Sequence, residues 1–360
     1  MIKTIVSNAL LVLASIVVTL VLLELGARMY TGDWVFRNIL ENHIRLLMTA
    51  YPARYDETLG WAAKSGVSEH NASGARITIL ENGLRSNRAN AVSQKLAKKR
   101  PIVAVGDSFT FGFEVSDAQT WPAILESQLG RPVINGGVFA YGMDQALIRA
   151  RQLIDAYEPE ILIYSFIPDD IFRCQISSRT GVNKPYFDVK DGALLLKNSP
   201  VPEPALTDHG SPGIRRLLGY SVLVHELMLR SEYANWWLRG DQWNNKQVHS
   251  SLKGDQIGCL IVKELDELAR SKNIKVYLLA QYGRNINSKS VNRSRKVISC
   301  ANPQRLTVVD LHDSLREVWR RDRKMYRSYF TKRQHMTYEG NRFVARKLVD
   351  ALNQSGIQAP

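Results

Sequence analysis

The sequence predicts an α/β protein: a doubly wound parallel sheet of five strands, preceded by a transmembrane helix and interrupted by an inserted subdomain. Three observations carry that expectation. An uncharged run occupies residues 5–23, five short apolar runs rich in β-branched residues follow residue 100, and helical patterns lie between most of them.

The first element is the uncharged run. Nineteen residues at about 1.5 Å rise each match the hydrocarbon thickness of a bilayer, which predicts a membrane anchor over residues 1–28. A cleavable signal peptide is the rival reading. Its apolar core would span about 7 to 15 residues and end at a small-x-small site, whereas this run continues into Glu24-Leu25-Gly26-Ala27-Arg28. Lys3 and the amino terminus stand against Arg28, Arg37 and Arg45, so the basic residues favour neither orientation. A long following domain translocates largely regardless of that count, and the body is expected outside the cytoplasm, periplasmic or extracellular.

Residues 29–100 carry Leu59-Gly60-Trp61 and Asn82-Gly83-Leu84-Arg85, punctuation that predicts a neck with a short hairpin. The apolar runs at 102–105, 133–134, 161–166, 274–279 and 306–309 read as buried parallel strands. Helices are expected at 121–129, 143–157, 256–271, 288–300 and 338–352. Strands alternating with helices give a parallel sheet whose ligands bind beyond the strands' carboxyl ends. Residues 173–255 break the alternation and divide the domain into 101–172 and 256–360. This insertion holds a hairpin signal at Asp191-Gly192, a Pro-rich turn at 200–204 and an apolar helical patch at 214–238 containing Trp236-Trp237. It is expected to form one wall of a cleft, its tryptophans either packing internally or stacking on sugar faces.

Composition narrows the function. With 45% hydrophobic and 23% charged residues, the chain can bury a core and is neither disordered nor collagen-like. Cys174, Cys259 and Cys300 lack zinc-ligand spacing and form no Cys-x-x-Cys pair, which leaves room for one disulfide. The net charge of +14 is local: residues 263–347 hold 21 basic and 8 acidic residues, a net +13. The basic stretch 320–324, with Arg327, Lys332 and Arg333, is by default a solvated face and alternatively a contact for an anionic glycan. No recognised motif supports nucleic-acid binding. No Gly-rich phosphate loop, His-x-x-x-His pair or cysteine cluster suggests a cofactor or metal, so none is expected.

The chemistry should lie at the strand ends. The first strand runs into Gly106-Asp107-Ser108-Phe109-Thr110-Phe111-Gly112, where a serine can face a substrate carbonyl with its own N–H beside it. The second ends in Asn135-Gly136-Gly137-Val138-Phe139-Ala140-Tyr141-Gly142, the third in Ile167-Pro168-Asp169-Asp170, and His335 precedes the last helix. With these four segments in this order, the chain resembles the SGNH (GDSL-type) hydrolases, and is most similar to membrane-anchored bacterial members linked to cell-surface polysaccharide modification.

That resemblance implies a flavodoxin-like sheet, Ser108 as nucleophile and His335 as base. It also implies an oxyanion hole from the N–H of Ser108, a glycine N–H that falls on Ala140, and an asparagine that falls on Asp169. Asp107 and Asp170 are expected to hold the strand-end loops. Two departures weaken the match. An ionised Asp169 offers no donor, so burial is expected to keep it protonated if the site turns over. The aspartate usually three residues before the histidine falls on Lys332, so His335 lacks a local acid and is expected to work as a slow Ser-His dyad, unless Asp169, Asp170 or Asp313 replaces that acid through space. The implied activity is an acyl-ester hydrolase or O-acyltransferase on an acylated polysaccharide; the alternative is a catalytically degenerate domain that binds an anionic glycan or scaffolds a membrane complex.

Overall fold

The computed structural model describes residues 2–34, 36, 38–39, 52–71, 74–87, 100–179, 182–203, 213–237, 250–332 and 334–357. Arg37, Arg45, Pro204, Leu238 and Arg333 lie outside them. In chain order the strands are β1 (Ala53–Asp56), β2 (Gly60–Ala63), β3 (Val67–His70), β4 (Arg76–Ile79), β5 (Ile102–Val105), β6 (Val133–Asn135), β7 (Ile161–Phe166), β8 (Ser178–Arg179), β9 (Val182–Asn183), β10 (Tyr186–Lys190), β11 (Ala193–Lys197), β12 (Lys275–Ala280) and β13 (Leu306–Asp310). The α-helices are α1 (Ile2–Thr31), α2 (Ser108–Phe111), α3 (Trp121–Leu129), α4 (Met143–Tyr157), α5 (Pro168–Arg173), α6 (Ile214–Leu218), α7 (Val222–Arg230), α8 (Ala234–Trp237), α9 (Gly254–Ser271), α10 (Val291–Ile298), α11 (His312–Arg321), α12 (Arg323–Ser328) and α13 (Tyr338–Gln354).

The expected sheet is present: five parallel strands in the order β13-β12-β7-β5-β6. Every residue of β5 and β7 is buried, as continuous Val/Ile/Leu runs require when helices cover both faces. From β5 the chain steps to β6 on one side and then crosses to β7 on the other. The strand order therefore reverses at β5, and the crevice beyond its carboxyl end is where such sheets bind ligands. Ser108 stands there.

The 29–100 segment holds two hairpins rather than one, β1–β2 and β3–β4. Both are stitched into the body. Trp61, Ile77 and Ile79 are fully buried, and single bridges from Ile79 to Arg85 and from Arg85 to Asn135 extend the sheet beyond β6. Arg85 is buried, ion-paired with Asp117, and donates to the carbonyls of Phe111 and Val115.

The insertion splits in two. Its first part contains the β10–β11 hairpin, turned by Asp191 and Gly192 at φ 55° and 77°, and places the fully buried Lys184 on Asp144 of α4. The apolar patch at 214–238 is three short helices, α6 to α8, interrupted at Gly219 and Ser231. They pack on the end of α1: Glu24 accepts from the N–H groups of Val222 and Leu223 and from the Ser221 hydroxyl. Trp237 is buried, with Nε1 on His225 Nδ1 at 3.0 Å, which removes it as a sugar platform. Two further helices, α11 and α12, occupy the basic stretch, where the sequence predicts none.

Candidate active site

Three backbone devices bring the site together. Gly106 ends β5 at φ 153°, and a Cβ there would lie 2.5 Å from Thr110 Oγ1 and 2.7 Å from the Ser165 carbonyl, so only glycine makes this turn. Asp107 then caps α2 by accepting from the Phe109 N–H at 2.9 Å. Ser108 is the first residue of α2, so its N–H has no partner within the helix.

Gly112 closes α2 in the left-handed region, φ 74°, with a virtual Cβ 2.4 Å from Thr120 Cγ2. The chain leaves through Phe113 to Glu114. His335 enters from the opposite direction. Its carbonyl accepts from the Thr331 N–H at 2.8 Å, Gln334 takes φ 74°, and Thr337 caps α13.

The result is a three-member relay. Ser108 Oγ lies 2.9 Å from His335 Nε2, and His335 Nδ1 lies 2.9 Å from Glu114 Oε1. Glu114's side chain is only 3% accessible and His335's 22%. A carboxylate only accepts, so Nδ1 carries the proton and donates it to Glu114, which leaves the Nε2 lone pair to accept from the Ser108 hydroxyl. The phenyl ring of Phe109 packs at 5.4 Å from the imidazole.

Glu114 corrects the expectation of an acid-free histidine. None of the three aspartates weighed for the role reaches His335: Asp313 pairs with His312 at 3.0 Å, while Asp169 and Asp170 pair with Arg173 at 2.7 and 2.6 Å. The one sequence signal for Glu114 was an acid two residues past the glycine that ends α2, and no fixed spacing to the histidine marks it.

The β6–α4 loop carries Ala140, for which an oxyanion role is expected. Asn135 donates to the Thr110 carbonyl at 3.0 Å and accepts from the Gly137 N–H at 3.1 Å. A Cβ on Gly137 would fall 2.5 Å from the Phe111 nitrogen, so the loop touches α2 directly. Ala140 adopts φ 63°, a left-handed conformation that glycine would take without the steric cost alanine bears. Its neighbours hold it there. Trp61 Nε1 donates to the Phe139 carbonyl at 3.0 Å, Tyr141's hydroxyl donates to the Trp61 carbonyl at 2.7 Å, and Arg173 donates to the Tyr141 carbonyl at 2.8 Å. Ser108, Ala140 and His335 are each half-buried.

Asp169 does not behave as expected. Burial pushes its carboxyl up, but the guanidiniums of Arg173 and Arg179, at 2.7 and 3.6 Å, outweigh that and hold it below the ordinary aspartate value. Its side chain is about half exposed, 52%, so it is ionised at neutral pH. Asp107 and Asp170 are different: both are buried, burial raises both carboxyls, and Arg173 sits between them. Their loop-holding roles are visible in the Phe109 N–H on Asp107 and the Ile167 N–H on Asp170 at 3.0 Å.

Solved structures that align with this chain include a G-D-S-L family protein and acetyl xylan esterases. A G-D-S-L family lipolytic protein from Desulfitobacterium hafniense aligns at a TM-score of 0.39 and 15% identity, covering 71% of this chain and 100% of that one. An acetyl xylan esterase aligns at 0.41 and 14% identity, covering 70% and 99%. A catalytic mutant of an acetylxylan esterase from Geobacillus stearothermophilus aligns at 0.38 and 12%, covering 70% and 94%. No family model matches the chain, and no curated protein matches it.

Proposed function

We propose that the protein is a serine esterase of the SGNH type, anchored in a membrane by α1, in which Ser108, His335 and Glu114 form the catalytic triad. The observation that carries this reading is the unbroken relay from Ser108 Oγ through His335 to Glu114. His335 Nε2 takes the hydroxyl proton as Ser108 attacks an acyl carbonyl, and Glu114 holds the ring and stabilises the imidazolium. The N–H groups of Ser108 and Ala140 face the developing oxyanion. The imidazolium then protonates the leaving alcohol, and water or a sugar hydroxyl, activated by the same nitrogen, releases the acyl group from serine.

The substrate class follows the sequence resemblance: O-acyl groups of a cell-surface polysaccharide, either hydrolysed or transferred. Placement of the body outside the cytoplasm is supported by the Cys259–Cys300 disulfide, which joins α9 to the residues after α10 and persists in an oxidising compartment. The satisfied histidine favours catalysis over a degenerate binding domain. The test is labelling by a serine-reactive fluorophosphonate together with hydrolysis of p-nitrophenyl acetate. Both should be present in the parent and absent in Ser108→Ala; no labelling of a folded parent across a pH series would return the protein to the binding class.

A further inference from the structure

Beyond the apolar run of residues 5–23, the described residues include sixteen exposed large hydrophobic side chains, and ten of them fall in two short segments, four in 29–36 and six in 214–236. A soluble surface scatters such residues singly. The two segments are joined. Arg28 is buried, pairs with Glu24 at 2.8 Å and donates to the Tyr220 carbonyl at 2.9 Å. Phe36 stacks on Tyr220 with ring centroids 5.5 Å apart, and the Ile39 N–H donates to the Gly219 carbonyl at 2.8 Å.

Helix register fixes the depth of this unit. If α1 crosses the bilayer with residues 5–23 in the hydrocarbon, about 28 Å of helix fills a core of about 30 Å and Glu24 lies at its boundary. Glu24 caps α7 through Val222 and Leu223 at 3.0 Å, so α7 begins at the level of the lipid headgroups. The side chains exposed around it suit that level. Tyr233 (59% exposed) and Trp236 (49%) are the amphipathic aromatics that gather at membrane interfaces, and Leu217 (70%) and Leu227 (59%) are apolar anchors. Arg215 covers one face of Trp236 at 5.2 Å.

We infer that helices α6 to α8 form an interfacial platform that rests on the same bilayer α1 crosses, with Leu217, Leu227, Tyr233 and Trp236 toward the lipid. This rests on the anchor reading of α1. The glutamate cap and the Arg28 bond then make anchor and platform one rigid foot, so the domain is held at a set height and tilt.

The test uses full-length protein in phosphatidylcholine/phosphatidylglycerol liposomes, spin-labelled singly at Leu217→Cys, Leu227→Cys, Leu13→Cys and Asp191→Cys. Cys174 is buried and Cys259–Cys300 is bonded, so the introduced thiol takes the label. The readout is the ratio of collisions with oxygen to collisions with a water-soluble nickel chelate. Ratios at 217 and 227 that approach the value at 13, severalfold above the value at 191, support the platform. Water-like ratios at 217 and 227 with a lipid-like ratio at 13 overturn the platform and leave the anchor standing. Shielding of 217 and 227 from both reagents would mean that protein covers the face, a second copy or another chain, and overturns the lipid assignment. A water-like ratio at 13 overturns anchor and platform together.

Discussion

On the histidine side of the cleft, the imidazole receives its carboxylate from a residue 221 positions away in sequence. On the side proposed to hold the oxyanion, Asp169 is engaged by Arg173, four positions along. Both sides depart from the pattern the sequence resembles, at Lys332 and at Asp169, yet only one departure is compensated. An acid that orients an imidazole needs only to reach Nδ1, and any nearby loop can deliver it; Glu114 arrives on the turn that ends α2. An oxyanion donor must sit at one point beside the reacting carbonyl, and the loop after β7 leads there. The difference teaches that an orienting group can migrate in sequence while a donor aimed at the transition state is tied to its strand end.

The largest effect expected from breaking this contrast is at Glu114. Glu114→Gln presents an amide to the imidazole and disfavours the working tautomer, so turnover of p-nitrophenyl acetate should fall by about 10² to 10⁴ with fold and substrate affinity retained. Unchanged turnover would leave His335 a dyad base and reduce Glu114 to packing.

Next comes the buried arginine on the other side. Arg173→Met leaves Asp107 and Asp170 buried without their cation, and removing one partner of a buried pair typically costs about 3 to 5 kcal/mol. Both carboxyls already titrate above the ordinary value of 3.8, because burial favours their neutral forms. A raised carboxyl pKa means that the native state holds protons the unfolded chain has released, so stability declines as pH rises above about 4. The loss of melting temperature in Arg173→Met should therefore be small near pH 4 and grow towards pH 8. A loss independent of pH would show that the carboxyls do not depend on this cation.

A smaller effect in the opposite direction is expected at Asp169. Asp169→Asn removes a negative charge and supplies a donor, and should raise turnover by up to about 10². The arginines keep this carboxyl ionised across the working range, so the gain should be flat in pH above about 5, where burial alone would have concentrated it at high pH. Loss of activity instead would make Asp169 part of the machinery. The smallest effect is at Lys332, where restoring the family's aspartate should change turnover little, because Glu114 already occupies Nδ1. A tenfold or greater gain in Lys332→Asp would mean that Glu114 is a poor partner.

Much of this architecture was legible in the sequence because it is local. The parallel strands announce themselves as short β-branched runs, helices α3 and α4 as helical patterns between them, and Ser108 and His335 through motifs at element ends. Glu114 was not legible, since its partner is set by how the end of α2 meets the turn before α13. Asp169's ionisation escaped in part for the same reason: Arg179 reaches it from the insertion, while Arg173, one helical turn along, was legible and was outweighed in the reading by the apolar strand end before Asp169. Helix α11 was missed because its core face is short, His312 and Leu315 buried with Val318 and Trp319 beside them, within a strongly charged stretch.

The β1–β2 hairpin carries a consequence of another kind. Trp61 grips the loop on the Phe139 side of Ala140 and receives the Tyr141 hydroxyl on the other, while the Gln145 side chain donates to the Leu59 carbonyl at 2.7 Å. An alanine at φ 63° would relax if either grip were released. The β1–β2 hairpin therefore acts as a splint for the loop that carries Ala140: a segment that precedes the five-stranded sheet in the chain holds the backbone at one of its strand ends.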